Sequence, residues 1–97
     1  MITEHALITV RPGSEDHFLT AFPEAHAVIT AAPGCISARL LRGVERPSTF
    51  LLLVEWASVE AHMEGFRSSE AFAKWRQIIG PFFDGPPDVE HFGEPLR

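Results

Sequence analysis

Two side chains in the second half of the chain stand where proton or anion chemistry is possible. His62 falls on a stripe with Val59, Met63 and Phe66 at helical spacing, so an imidazole lies on an apolar face. Imidazole exchanges a proton near neutral pH and suits the deprotonation of an aromatic molecule. The same placement also fits a histidine satisfied within a core or at its rim. Arg76 shares a helix face with Phe72, Trp75 and Ile79. Its guanidinium suits the anionic oxygen of a phenolate or carboxylate, and equally an ion pair with a Glu or a stem lying along the surface. Trp56, Phe66, Phe72, Trp75 and Phe82 offer flat apolar surface for a ring-shaped ligand, or plain core.

Other chemistries find no support. The 5 histidines include no pair at the i, i+4 spacing of two ligands on one helix face, so no metal is expected. His5 and His91 remain a pair that strand pairing could bring together. Cys35 stands alone after a turn, with no basic neighbour in sequence to activate it, and reads as a packing residue. No phosphate loop, dinucleotide fingerprint or serine nucleophile motif is present. A formal charge of −5 disfavours nucleic acid and anionic membrane as partners. Met1–Val10 has neither a basic start nor a long apolar run, so no signal peptide or span is expected. With a lone cysteine, the reading is a soluble cytoplasmic protein.

These residues must be positioned by a chain of 97 residues, read as a single domain over 1–97. Ile2–Val10 alternates Ala6, Ile8 and Val10 against Thr3, His5, Leu7 and Thr9, the spacing of a strand. Arg11-Pro12-Gly13 ends it, and Ser14 is placed to cap a helix with Glu15 and Asp16 in its first turn. That helix carries Phe18, Ala21, Phe22, Ala25, Val28, Ile29 and Ala32 as one stripe, with Pro23 predicting a kink or break. After the Pro33-Gly34 turn, Cys35–Arg42 and Thr49–Trp56 read as an antiparallel hairpin. Ser58 caps a short helix to about Phe66, and Ser68 or Ser69 caps another that ends at Ile79 before Gly80-Pro81. Val89–Phe92 is a last short strand. The order β-α-β-β-α-β is α+β and ferredoxin-like: a four-stranded antiparallel sheet with helices on one face.

The third strand breaks the expected alternation. Phe50, Leu52, Val54 and Trp56 point one way, but Leu51 and Leu53 make the opposite face apolar too. Burying that Leu pair is worth roughly 3–6 kcal/mol, and Leu7 on the first strand adds to the surface. A symmetric homodimer, sheet on sheet through Leu7, Leu51 and Leu53, is the simplest cover. A steeply twisted strand with long side chains over the Leu pair is the other reading.

Four stretches then carry a resemblance. Pro33-Gly34-Cys35, Trp56-x-Ser58-x-Glu60-Ala61-His62, Ser69-x-x-Phe72-x-x-Trp75 and Pro86-Pro87-x-Val89-x-His91-Phe92 resemble, in order and spacing, the antibiotic biosynthesis monooxygenase (ABM) domain family. The resemblance implies a dimeric α+β barrel with a pocket between sheet and helices in each subunit. It also implies mixed function, because fold constrains reaction only loosely. Some members oxygenate aromatic intermediates with dioxygen and no cofactor; others degrade haem. The haem branch is similar in an Asn on the first strand, a Trp ending the third and an iron-ligating His on the last helix. Here Ala6 and Arg76 stand at two of those positions, and only Trp56 matches. Arginine stays protonated and does not ligate iron. The expected function is a monooxygenase without cofactor acting on an aromatic or polycyclic small molecule, with His62 and Arg76 catalytic. The alternative is a non-catalytic barrel that binds a small hydrophobic ligand or serves regulation.

Overall fold

The computed structural model describes residues Met1–Arg97. Strands β1 (Ile2–Thr9), β2 (Cys35–Arg42), β3 (Thr49–Trp56) and β4 (Asp88–Phe92) form one antiparallel sheet in the order β2-β3-β1-β4. Helices α1 (Glu15–Thr30) and α2 (Glu70–Ile79) cover one face, in the ferredoxin-like arrangement expected from the element order. No helix is long and apolar enough to cross a membrane.

The period-two pattern of β1 and β3 decides which face is inside. Ile8, Phe50, Leu52, Val54 and Trp56 are fully buried beneath the helices, each contributing roughly 1.5–3 kcal/mol. From α1, Phe18, Phe22, Ala25 and Ile29 complete the core. Leu7, Leu51 and Leu53 lie on the opposite face, half-buried within one chain. Leu7 and Leu41 flank Leu51 in register, so the three strands carry one apolar row there.

Two local expectations are corrected. Pro23 does not break α1, which runs through it; the proline sits on the exposed side of the helix. Ser14 makes no side-chain cap. Glu15 instead ties the approach to the helix: its carboxylate accepts from Gly13 N at 2.8 Å and from the Ser48 hydroxyl, linking the β2–β3 loop to the helix start. His26, on the half-buried flank of α1, reaches the Ala38 carbonyl of edge strand β2 at 2.8 Å, satisfying an acceptor the sheet leaves open.

The segment after β3 is the irregular one. Ser58 Oγ accepts from Ala61 N at 3.1 Å, as a cap should. Ala61–Phe66 then winds as a π-helix, a form found mostly as single turns at functional sites. Arg67 N closes it on the His62 carbonyl at 2.9 Å. Ser69 caps α2, accepting from Phe72 N at 3.3 Å. The π-helix fits against the sheet because Gly34 has no side chain: a Cβ there would lie 2.7 Å from Ala61 Cβ, and its φ is +85°.

Gly34→Ala is therefore expected to lower stability by roughly 1–3 kcal/mol or more, and thermal denaturation would read this as a fall of about 4–8 °C per kcal/mol. Gly13 is the control: it also has positive φ (+93°) but nothing within 4 Å of an added Cβ. Gly13→Ala should cost distinctly less.

Candidate functional site

Antiparallel register gathers the site at one end of the inner sheet face. Glu4 lies on β1, on the same face as Ala6 and Ile8, and pairs directly with His91 of β4. Trp56, at the end of β3, donates its Nε1–H to Glu4 Oε1 at 2.9 Å. The π-helix lays His62 over this group, ring stacked on Trp56 with centroids 5.1 Å apart. His62 Nε2 sits 3.3 Å from the same Glu4 Oε1, and its Nδ1 is 2.8 Å from His91 Nε2.

A buried carboxyl beside a buried imidazole need not be an ion pair. Glu4 is 5 % exposed and His62 2 %. Burial raises the Glu4 carboxyl above the usual carboxylate range, against the Trp56 hydrogen bond and the Arg67 charge that favour ionisation. Burial, then the His91 and Arg67 charges, push His62 down to about 4. His62 is thus neutral in ordinary buffers. The Cys35 thiol is pushed up by burial and by the Glu4 charge, so it stays protonated and unreactive, as its packing role requires.

Beside this cluster opens a cavity of about 130 Å³. An apolar cavity of roughly 150 Å³ accepts a benzene molecule, so the space suits one aromatic ring. Ala6, Ile29, Phe66, Phe72, Trp75, Phe83 and Val89 supply its apolar walls, Glu4 and His62 its inner polar end, and Arg67, Arg76, Pro86 and Pro87 the remaining lining. Both arginines are exposed, and their guanidinium carbons lie 5.0 Å (Arg67) and 5.9 Å (Arg76) from the Phe72 ring centre. Neither has a carboxylate partner. Trp75 Nε1 is buried without an acceptor. A larger hollow of about 550 Å³ near Val28, Ala61 and Ala71 is lined by no ionisable side chain.

Of the residues singled out in the sequence, His62, Arg76, Phe66, Phe72 and Trp75 meet around this cavity. Trp56 does not line it and instead supports Glu4 and His62 from beneath. Phe82 is turned away, stacked against His17 with centroids 6.4 Å apart, and its neighbour Phe83 takes the lining position. His5 and His91 do not meet: adjacent strands place them on opposite faces, with His5 packed against Phe92. Glu4, Arg67 and His91 are additional. Glu4 had a signal, being the acidic member of the alternating set that ends in Ala6, Ile8 and Val10; His91 stood out only as a partner for His5 and within the Pro86–Phe92 stretch, and Arg67 had no signal.

The architecture is a ferredoxin-like α+β sheet with a ring-sized cavity between sheet and helices, acidic and imidazole groups within it and guanidinium groups beside them. Residues 1–78 match the sequence model of the antibiotic biosynthesis monooxygenase family, and the chain belongs to that family. It is 37% identical over 92 residues to the uncharacterized protein YczJ of Bacillus subtilis (strain 168), covering 95% of this chain and 97% of YczJ. The crystal structure of the "putative antibiotic biosynthesis monooxygenase" from Bordetella bronchiseptica superposes with a TM-score of 0.94 at 38% identity, over 98% of this chain and 97% of that one. SnoaB of Streptomyces nogalater, a cofactor-independent oxygenase solved as a mutant, shares the fold with a TM-score of 0.81 at 17% identity, over 99% and 94% of the two chains.

The raised Glu4 carboxyl has a consequence for folding. Between its unfolded value near 4.5 and its higher folded value, the native state binds more protons than the unfolded one, so this group's contribution to stability falls as pH rises. Glu4→Gln removes that dependence. The variant's stability relative to wild type is expected to increase with pH across the Glu4 titration, as measured by urea unfolding at a series of pH values. An unchanged difference across the series would mean that Glu4 is not held above its usual range.

Proposed function

We propose that this protein is a cofactor-independent monooxygenase that oxygenates a small aromatic molecule. The observation that carries the reading is the ring-sized aromatic cavity with Glu4 and His62 at its inner polar end and two unpaired arginines in its lining. Removing a proton from an electron-rich phenol or an aryl-flanked methylene gives an anion able to pass an electron to dioxygen. Recombination of the two radicals forms a peroxide anion, which takes the proton back to become a hydroperoxide and then loses water. In the net change a CH2 becomes C=O, one oxygen of O2 is retained and the other leaves as H2O. His62 belongs to the proton-handling end. Arg76, with Arg67 beside it, suits the anionic oxygen, since an unpaired guanidinium donates strong charge-assisted hydrogen bonds. Phe66, Phe72 and Trp75 suit the ring faces. Family membership and the shared fold of SnoaB support the reaction class. The cavity volume favours one ring inside it, so a polycyclic substrate would extend past the arginines.

The active form in this reading is a homodimer. The row Leu41, Leu51 and Leu7, with Leu53 beside it, supports a second copy packed sheet on sheet. The free, protonated thiol of Cys35 fits a reducing, cytoplasmic setting.

Oxygen uptake with a panel of hydroquinones and anthrones, compared with the same compounds in buffer, tests the activity. His62→Ala and Arg76→Ala are each expected to lower it by at least about tenfold, within the range of lost proton transfer or charge stabilisation. Saturable binding of the panel with no uptake would instead favour a ligand-binding barrel without catalysis. Light scattering tests the assembly: Leu51→Glu combined with Leu53→Glu should give a monomer or an unfolded chain, and an unchanged dimer would refute that interface.

A further inference from the structure

We propose that Glu4 is the group that accepts the substrate's proton and later returns it, while His62 is a positioning residue whose tautomer is fixed by His91. The inference rests on the oxygenase reading for the identity of the acid, but the arrangement itself is a property of the resting protein.

The two carboxylate oxygens of Glu4 are in different situations. Oε1 accepts from Trp56 Nε1 at 2.9 Å and faces His62 Nε2 at 3.3 Å. Oε2 makes no hydrogen bond, and it is not sealed off: the buried side-chain polar atom left without a partner is Trp75 Nε1, not this one. Glu4 lines the cavity, and of its two oxygens Oε2 is the one not already engaged. One oxygen is held and the other is available.

His62 is poorly suited to the role of base. Its Nδ1 is occupied by His91 Nε2 at 2.8 Å, and its Nε2 faces the carboxylate. Two imidazole nitrogens at that distance share one proton, so one ring donates and the other accepts. A carboxylate at Nε2 favours the proton on Nε2; Nδ1 is then the acceptor, and His91 donates. In that state neither nitrogen of His62 has a free lone pair for a substrate proton. The low basicity of the His62 ring agrees with this. A carboxyl raised by burial is a stronger base than an ordinary one, closer to what proton abstraction near neutral pH needs.

The charged and titratable groups around Glu4 are accounted for on each side. Trp56 comes from β3, His91 from β4, Cys35 from β2, and His62 and Arg67 from the π-helix and its end. Arg76 lines the same cavity from α2, and α1 contributes only the apolar Ile29. In the step itself, a substrate C–H or O–H bond breaks, an O–H bond forms at Glu4 Oε2 and the electron pair stays on the substrate. Oε1 continues to accept from Trp56 and to face His62 Nε2, so the surrounding contacts need not rearrange. Glu4 gives its proton to the peroxide anion formed by radical recombination, which restores the carboxylate. As the resulting hydroperoxide collapses, the remaining C–H bond breaks to form C=O, the O–O bond breaks, and the departing hydroxide leaves with that C–H proton as water.

Anaerobic exchange of deuterium from solvent into anthrone isolates proton abstraction from oxygen chemistry. Wild type is expected to accelerate exchange, Glu4→Gln to lose about 10²–10⁴-fold of it, and Glu4→Asp to recover part. His62→Gln should retain more activity than Glu4→Gln, and the acidic limb of its pH profile should still follow a carboxyl above 4.5. Exchange without oxygen uptake would sink the oxygenase reading and leave this proposal standing. Exchange or uptake at the wild-type rate in Glu4→Gln would overturn the proposal and leave the oxygenase reading intact. The resting protein gives a substrate-free check by long-range ¹H–¹⁵N NMR. His62 should hold the neutral Nε2–H tautomer, and His91→Phe should mix the two tautomers. A fixed Nδ1–H tautomer in wild type would overturn the proposal whatever any substrate does.

Discussion

A carboxyl group on the inner face of β1, one of the two interior strands, is the interaction around which this end of the molecule is organised. Burying Glu4 without partners would cost several kcal/mol, and each neighbouring element answers that cost with one group. Strand β3 ends on Trp56, whose indole N–H is the direct donor. The π-helix presents a neutral imidazole rather than a second charge. Strand β4 is only five residues long, yet it supplies His91 in register with Glu4. The cavity exists because these groups meet above the sheet and the helices stop short of filling the space.

The irregular winding of Ala61–Phe66 follows from the same requirement. His62 and Phe66 both have to face the sheet beside Trp56, and the stacked His62 ring at 5.1 Å and the tilted Phe66 ring at 5.7 Å show how closely they do. The approach is possible only where Gly34 leaves room for Ala61. A turn glycine far from Glu4 in sequence therefore helps to set the height of the imidazole above the carboxyl.

Much of the fold was legible in the sequence, because it is written in periodicities. The two apolar faces of Phe50–Trp56, the cap at Ser69 and the stop at Gly80 are local signals with local causes. Pro23 and Ser14 misled for the opposite reason: a proline on a solvent-facing turn is tolerated, and the helix starts without a serine cap, its first residue Glu15 bonding Gly13 and Ser48 instead. The site was half legible. The stripe containing His62 and the helix face near Arg76 could be read, but which of Phe82 and Phe83 turns inward depends on the bridge between Val10 and Phe83. His91 acquires its meaning only from a strand pairing that spans almost the entire chain. Glu4 was visible as an acid on an apolar face; its importance follows from three partners distant in sequence.

The two guanidinium groups flanking Phe72 have a kinetic consequence. The chain carries a formal charge of −5, so an anionic ligand approaching from a distance is repelled, while close to Arg67 and Arg76 it is attracted. Salt separates the two fields, because at about 0.1 M ionic strength the screening length is near 10 Å. The long-range repulsion is then damped, and the contact with the arginines over the last few ångströms is largely kept. Moderate salt would thus speed the encounter of such a ligand with the cavity, the reverse of ordinary electrostatic steering.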